Sequence, residues 1–261
     1  RGRMYPRTSF ASPWELGTPL DGDAIGVVVA SCNPNLPEGT WVRSELGMRD
    51  YFVAYSGCEA LQDPPQGFDH GVYLGALGPT GLTAFLGVVG ILEPQPGETV
   101  LVSSAAGSVG SIAGQIARLK GAWVIGSTST TEKVRAVRDR YRFDAAFNYR
   151  ATEFGEAVDE LAPAGVDCFF DNVGGEQLEA TLDRMRVRGR IAKCGAISSY
   201  NSRDRASGPR NLHLIFGRRL MIRGFLVSDH RDRRSEIERM MRAWVESGDL
   251  IADQTVYAGL D

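Results

Sequence analysis

The sequence predicts an α/β protein, a doubly wound parallel sheet joined to a smaller β-rich domain. Three observations predict it. From Gly75 onward, short apolar strands alternate with amphipathic segments; the first 73 residues instead carry brief apolar runs broken by proline and glycine; and one strand runs straight into a small-residue turn at Gly107 that opens a helix. Alternation of this kind argues for parallel strands, because each return to the same end of a sheet needs a crossover, and a helix supplies it.

Taken in order, Ala24-Ile25-Gly26-Val27-Val28-Val29, Thr40-Trp41-Val42 and Tyr51-Phe52-Val53-Ala54 read as strands of a small barrel-like domain, separated by turn residues. Strands are then expected at residues 99–103, 123–126, 144–147, 166–170, 189–194 and 222–227. Helices are expected at 111–120, 131–140, 153–161, 178–185 and 234–246. In the last of these, Ile237, Met240, Met241 and Trp244 share one face and read as core packing.

Bulk properties exclude several classes of function. A chain of 261 residues, 43% apolar, can bury one large or two modest cores. Its net charge is only −3 and its basic residues are scattered, which argues against nucleic acid or a polybasic membrane contact as partner. No apolar run approaches the roughly 20 residues of a membrane-spanning helix. Cys32, Cys58, Cys168 and Cys194 form no close pair and His70, His213 and His230 stand apart from them, so no metal site is expected and a reducing cytosol fits best. Both ends are expected to be incomplete, since the chain opens on Arg1-Gly2-Arg3-Met4 and closes on Tyr257-Ala258-Gly259-Leu260-Asp261 after a strand-like stretch.

The chemistry is most legible in Gly97-Glu98-Thr99-Val100-Leu101-Val102-Ser103-Ser104-Ala105-Ala106-Gly107-Ser108-Val109-Gly110. A strand, a turn of small residues and a helix start let backbone pass close to a pyrophosphate whose charge faces free helix amides. Ala105 stands where a first glycine would complete the dinucleotide fingerprint, and the alternative is a plain strand-to-helix turn. About 20 residues on, where an NAD enzyme places an acid on the ribose, the chain has Gly126-Ser127-Thr128-Ser129-Thr130-Thr131-Glu132-Lys133. No acid ends that strand. Hydroxyl residues and Lys133, one of only three lysines, suit a 2′-phosphate and favour NADP(H); the alternative for Lys133 is a solvated residue of a first helical turn, a position the macrodipole mildly disfavours.

Four runs resemble the zinc-independent medium-chain dehydrogenase/reductases. They are Leu77-Gly78-Pro79-Thr80-Gly81-Leu82-Thr83-Ala84-Phe85, the turn at residues 105–110, Phe170-Asp171-Asn172-Val173-Gly174-Gly175, and Cys194-Gly195-Ala196-Ile197-Ser198-Ser199-Tyr200-Asn201. The resemblance is to the branch of prostaglandin reductase, leukotriene B4 12-hydroxydehydrogenase and curcumin reductase-like proteins. It implies a Rossmann domain over residues 74–250, a partial GroES-like β-barrel domain over 1–73, and a return segment at 251–261. It also implies that about 50 N-terminal residues of the family pattern lie outside the chain, by the usual size of such two-domain proteins.

Carried over residue by residue, the resemblance implies that Gly107, Ser108, Val109 and Gly110 hold the pyrophosphate and Lys133 the 2′-phosphate, with Tyr149 packing nearby. Asn172 and Cys194, Gly195, Ala196, Ile197, Ser198, Ser199 and Tyr200 would line the ribose and nicotinamide side, and Phe225, Leu226 and Val227 would offer backbone groups to the carboxamide. The implied reaction is hydride transfer from NADPH to the β-carbon of an α,β-unsaturated ketone or aldehyde, then protonation at the α-carbon. Tyr200 is the candidate donor to the carbonyl oxygen, with Tyr51 a weaker one. One departure matters: the mammalian branch has a tyrosine in the stretch matching residues 213–219, where this chain has Leu214, Ile215, Phe216 and Gly217. A homodimer is implied as well. Quinone reduction, zinc-independent alcohol oxidation and NADPH binding without turnover remain alternatives, because fold does not fix function.

Overall fold

A computed structural model of the protein describes residue 3 and residues 12–200 and 208–259. Residues 1–2 and 4–11, Asn201 and the rest of 201–207, and Leu260 and Asp261 lie outside the described residues, and with them parts of the opening, the fourth family-like run and the closing segment. The first strands, β1 (Ala24–Val27), β2 (Trp41–Ser44) and β3 (Glu59–Ala60), form an antiparallel sheet in the order β1-β2-β3. Backbone bonds between Val28 and Thr40 and between Gly39 and Val28 close the first hairpin. The strand expected at residues 51–54 does not form. All four residues are exposed, Tyr51 at 79% and Val53 at 78%, so the apolar run has no surface on which to bury one face.

The main sheet is parallel. Its strands β4 (Thr99–Val102), β5 (Trp123–Thr128), β6 (Ala145–Asn148), β7 (Val166–Asp171), β8 (Met185–Lys193) and β9 (Met221–Gly224) lie in the order β6-β5-β4-β7-β8-β9. Strand alternation divides the core in two. Val100, Val102, Val124, Cys168, Phe170 and Ala192 face one cluster, covered by helices α1 (Pro79–Gly87), α2 (Ser108–Leu119) and, last in the chain, α7 (Arg234–Glu246). Leu101, Ile125, Phe169 and Ile191 face the other, covered by α4 (Phe154–Leu161), α5 (Gly175–Leu182) and α6 (His213–Arg218). Helix α3 (Thr131–Arg135) runs on through wider turns to Arg140. Both faces are thus apolar, which is why the strands read as short continuous hydrophobic runs.

Several boundaries differ from expectation for identifiable reasons. α1 was not foreseen as a helix, because nearly all of it is buried and no amphipathic period survives; Pro79 at its first position is its clearest start signal. α2 begins three residues before the expected 111. Met185 was expected at the end of a helix but lies in β8, since Leu178, Leu182 and Met185 repeat at helical spacing while joining one buried cluster from a helix and a strand. The six-residue α6 was missed; Leu214 and Ile215 pack inward and Phe216 stands 88% exposed. The final strand ends at Gly224, so Phe225, Leu226 and Val227 leave the sheet. After α7, Ile251 exchanges hydrogen bonds with the Gln115 side chain of α2, and Gln254 donates to Asp69 at 2.8 Å.

Candidate functional site

The residues singled out by sequence gather at the carboxyl ends of the strands, around the point between β4 and β7 where the strand order reverses. β4 leads into Ser103 and then Ser104, whose φ of 53° turns the chain sharply. The Gly107 amide donates to the Ser104 carbonyl at 2.9 Å and the Ala105 amide to the Ser127 carbonyl of β5 at 3.0 Å. Ala105 is accommodated in place of a glycine because its neighbour is one: a Cβ on Gly126 would lie 2.7 Å from the Ala105 methyl. Gly110 answers to internal packing, since a Cβ there would meet the Ser104 carbonyl oxygen at 2.3 Å. No side chain caps α2, and among the described residues the amides of Ser108, Val109 and Gly110 find no acceptor. Thr130 and Glu153, by contrast, cap α3 and α4. Uncapped amides, a small-residue turn and an open front fit a diphosphate group.

Lys133 and Tyr149 lie on the β5–β6 side of this turn. Thr130 accepts from the Lys133 amide at 3.3 Å, which places Lys133 in the first turn of α3 with its side chain exposed. Tyr149 directly follows β6, donates its amide to the Thr128 carbonyl at 3.0 Å and packs half-buried against the second core cluster.

Of the other predicted residues, Cys194, Gly195, Ala196, Tyr200, Phe225 and Leu226 line a cleft of about 620 Å³ beyond β8 and β9, with Lys193, Gly224 and Asp229, whereas Asn172, Ile197, Ser198 and Ser199 stand outside its wall. Asn172 donates from its side chain to the Ser103 carbonyl at 2.8 Å, tying the end of β7 to the end of β4. Its own carbonyl accepts the Ile197 amide, and the Ser198 hydroxyl donates to the Val173 carbonyl at 2.6 Å. These bonds fix the short helical turn Ile197–Ser199 over the β7 loop. The Tyr200 hydroxyl accepts the Ala196 amide at 3.3 Å and lines the cleft. Burial pushes the Cys194 thiol up to about 12, so it stands in the cleft wall as a neutral group. Phe225 meets Phe170 edge-on at 6.5 Å, whereas Val227 packs against the first core cluster and is not part of the cleft wall. Tyr51 is not part of it either.

Sequence reasoning missed Ser103, Asp171, Lys193 and Asp229. The wholly buried Asp171 accepts the Val173 and Gly174 amides at 2.9 and 2.8 Å and pairs with Lys193 at 2.6 Å. The scarcity of lysine was the one signal that could have drawn attention to Lys193. Among the described residues no three His, Cys, Asp or Glu side chains gather in a cluster able to hold a metal ion, and no helix is long and apolar enough to cross a membrane.

Comparison with known proteins agrees with this geometry. Residues 108–246 match the family model described as zinc-binding dehydrogenase, and residues 1–61 match the N-terminal domain of oxidoreductase. The chain is 37% identical over 249 residues to prostaglandin reductase 1 of Bos taurus, covering 94% of this chain and 75% of that protein. It is 34% identical over 268 residues to the NADPH-dependent curcumin reductase of Escherichia coli, covering 100% of this chain and 77% of that one. The crystal structure of CurA from Vibrio vulnificus in complex with NADPH superposes with a TM-score of 0.88 at 30% identity, over 96% of this chain and 75% of that one. By its sheet order, its uncapped glycine turn and these matches along its length, the chain belongs to the zinc-independent branch of the medium-chain dehydrogenase/reductase family.

Proposed function

We propose that the protein is an NADPH-dependent reductase of the carbon–carbon double bond in α,β-unsaturated ketones or aldehydes. The observation that carries the proposal is the arrangement about the strand-order reversal: an uncapped α2 N-terminus, an exposed lysine beyond β5 on one side, and a largely apolar cleft beyond β8 and β9 on the other. Those three features suit the diphosphate, the 2′-phosphate and the nicotinamide half of one dinucleotide. Relatives whose names specify NADPH and the reduction of curcumin or prostaglandins support the same choice.

In this proposal Gly107, Ser108, Val109 and Gly110 hold the diphosphate, Lys133 takes the 2′-phosphate and Tyr149 packs beside the adenosine. Asn172 and the residues from Cys194 to Tyr200 line the ribose and nicotinamide, with Phe225 and Leu226 closing the cleft. Bound NADPH would supply a hydride to the β-carbon of the acceptor. The chain's own part is to orient the acceptor, exclude water through Cys194, Phe225 and Leu226, and stabilise charge at the acceptor's carbonyl oxygen, for which Tyr200 is the assisting hydroxyl. A homodimer is part of the proposal, supported by the open edge of β9, where Met221 is 40% exposed. So is the cytoplasm as its compartment, supported by four unpaired cysteines.

The test is NADPH consumption with a panel of enones, enals, quinones and saturated ketones, with products identified by mass spectrometry. Saturated ketones or aldehydes from the enones and enals are expected. Allylic alcohols, or NADPH binding with no turnover on any acceptor, would overturn the proposal.

A further inference from the structure

Asp171 and Lys193 are register partners at the carboxyl ends of β7 and β8, and neither is used in the chemistry above. The Asp171 carboxylate is wholly buried, and each oxygen has its own task. Oδ1 accepts the Val173 and Gly174 amides and lies 3.3 Å from the Ser103 hydroxyl, which fixes the loop carrying Asn172. Oδ2 pairs with Lys193 Nζ. The same ammonium donates to the Gly195 carbonyl at 2.5 Å, in the loop that leads to Tyr200.

The socket that receives the ammonium is built for it. Gly174 has φ of 71°, and a Cβ there would lie 2.8 Å from Lys193 Nζ. Gly195 is equally confined: a Cβ on it would meet the Asn172 carbonyl at 3.0 Å and the Tyr200 hydroxyl at 3.3 Å. The two loops touch at Gly195; backbone bonds and the Ser198 hydroxyl also join them, and Lys193 is the charged side chain that bonds Asp171 on one and Gly195 on the other. Its side chain is 27% exposed and borders the cleft.

We infer that Lys193 is a positioning residue for the nicotinamide side of the site: through Gly195 and Asp171 it sets where Tyr200 stands relative to Asn172. The inference rests on the proposed function. The competing explanation is charge neutralisation, in which Lys193 merely offsets a buried carboxylate that would otherwise be strongly unfavourable.

The variants Lys193→Met and Asp171→Asn/Lys193→Met separate the two. Three quantities are measured for each: melting temperature, affinity for NADPH against 2′,5′-ADP by fluorescence titration and competition, and kcat for enone reduction. 2′,5′-ADP occupies only the Lys133 half of the site and should bind every folded variant as it binds the wild type. In the double variant the neutral pair should recover the melting temperature, while NADPH affinity and kcat each stay about tenfold or more below wild type, as expected when reacting groups are misplaced. Recovery of NADPH affinity and kcat together with the melting temperature would overturn the inference and leave neutralisation as the whole role. If Lys193→Met does not fold, the double variant alone decides. Wild-type protein that binds NADPH but reduces no enone would sink the substrate proposal by itself, and the paired titrations would still decide Lys193.

Discussion

Under the proposed function, the choice of dinucleotide rests on the exposed ammonium of Lys133. β5 ends at Thr128 with Ser129 and Thr130 after it and no carboxylate at the strand end, and a 2′-phosphate would find one point charge and several hydroxyls there. Lys133→Glu should weaken NADPH by about 30-fold or more, the worth of a lost charge-assisted hydrogen bond plus repulsion, and change NADH affinity by less than about twofold. Fluorescence titration with both cofactors checks it, and equal losses would remove Lys133 from the site. Because its backbone amide, not its side chain, makes the bond to Thr130, the substitution leaves the cap of α3 in place.

Two elements of the sheet are pinned at the opposite, amino-terminal end by one ion pair. Arg190 of β8 grips both carboxylate oxygens of Glu98, just before β4, at 2.8 and 2.6 Å, and also donates to the carbonyls of Leu92 and Glu93, where the wider helical turns Val88–Leu92 that follow α1 end. The Arg190 hydrogen bonds hold the Glu98 carboxyl below its ordinary value of 4.5, against an opposing effect of partial burial. A carboxyl lowered in the folded state stabilises the fold above its unfolded pKa, and that stability is lost as pH falls through the lowered value. Glu98→Gln should therefore cost about 1–2 kcal/mol at pH 7, discounted for partial exposure, or about 2–8 °C in melting temperature. The gap between variant and wild type should close as pH falls below about 4.5. Thermal melts at neutral and acid pH measure both. A gap that stays constant with pH would show that shape, not charge, makes the contact.

At the scale of the whole molecule, β6 and β9 are the two ends of the main sheet, and they differ. Residues of β6 are buried or half-buried, whereas Met221, Arg223 and Gly224 of β9 are exposed, with Phe216, five residues before Met221, also exposed. Among the described residues no strand pairs with the outer side of β9, and an edge of that kind invites pairing with another copy. Sedimentation equilibrium should give about twice the 28.4 kDa of one chain, and a charged substitution such as Met221→Glu should shift the species toward monomer. A wild-type protein that stays monomeric at micromolar concentration would rule the dimer out.

By itself the sequence determined the parallel sheet, most of its helices, the glycine turn and the absence of an acid at the end of β5. All of these are local: they depend on periodicity, turn residues and spacing within about 30 residues, the length of one βαβ unit. Tertiary structure decided the rest. α1 has no exposed residue and so shows no clear period; residues 51–54 have strand composition but no sheet surface to rest on; Met185 continues a helical spacing from within a strand. The contact of Asp171 with Lys193 spans 22 residues, and the Asn172 bond to Ser103 spans 69. Side-chain pairings between strands leave no mark in periodicity, because they exist only once β4, β7 and β8 lie side by side in the sheet.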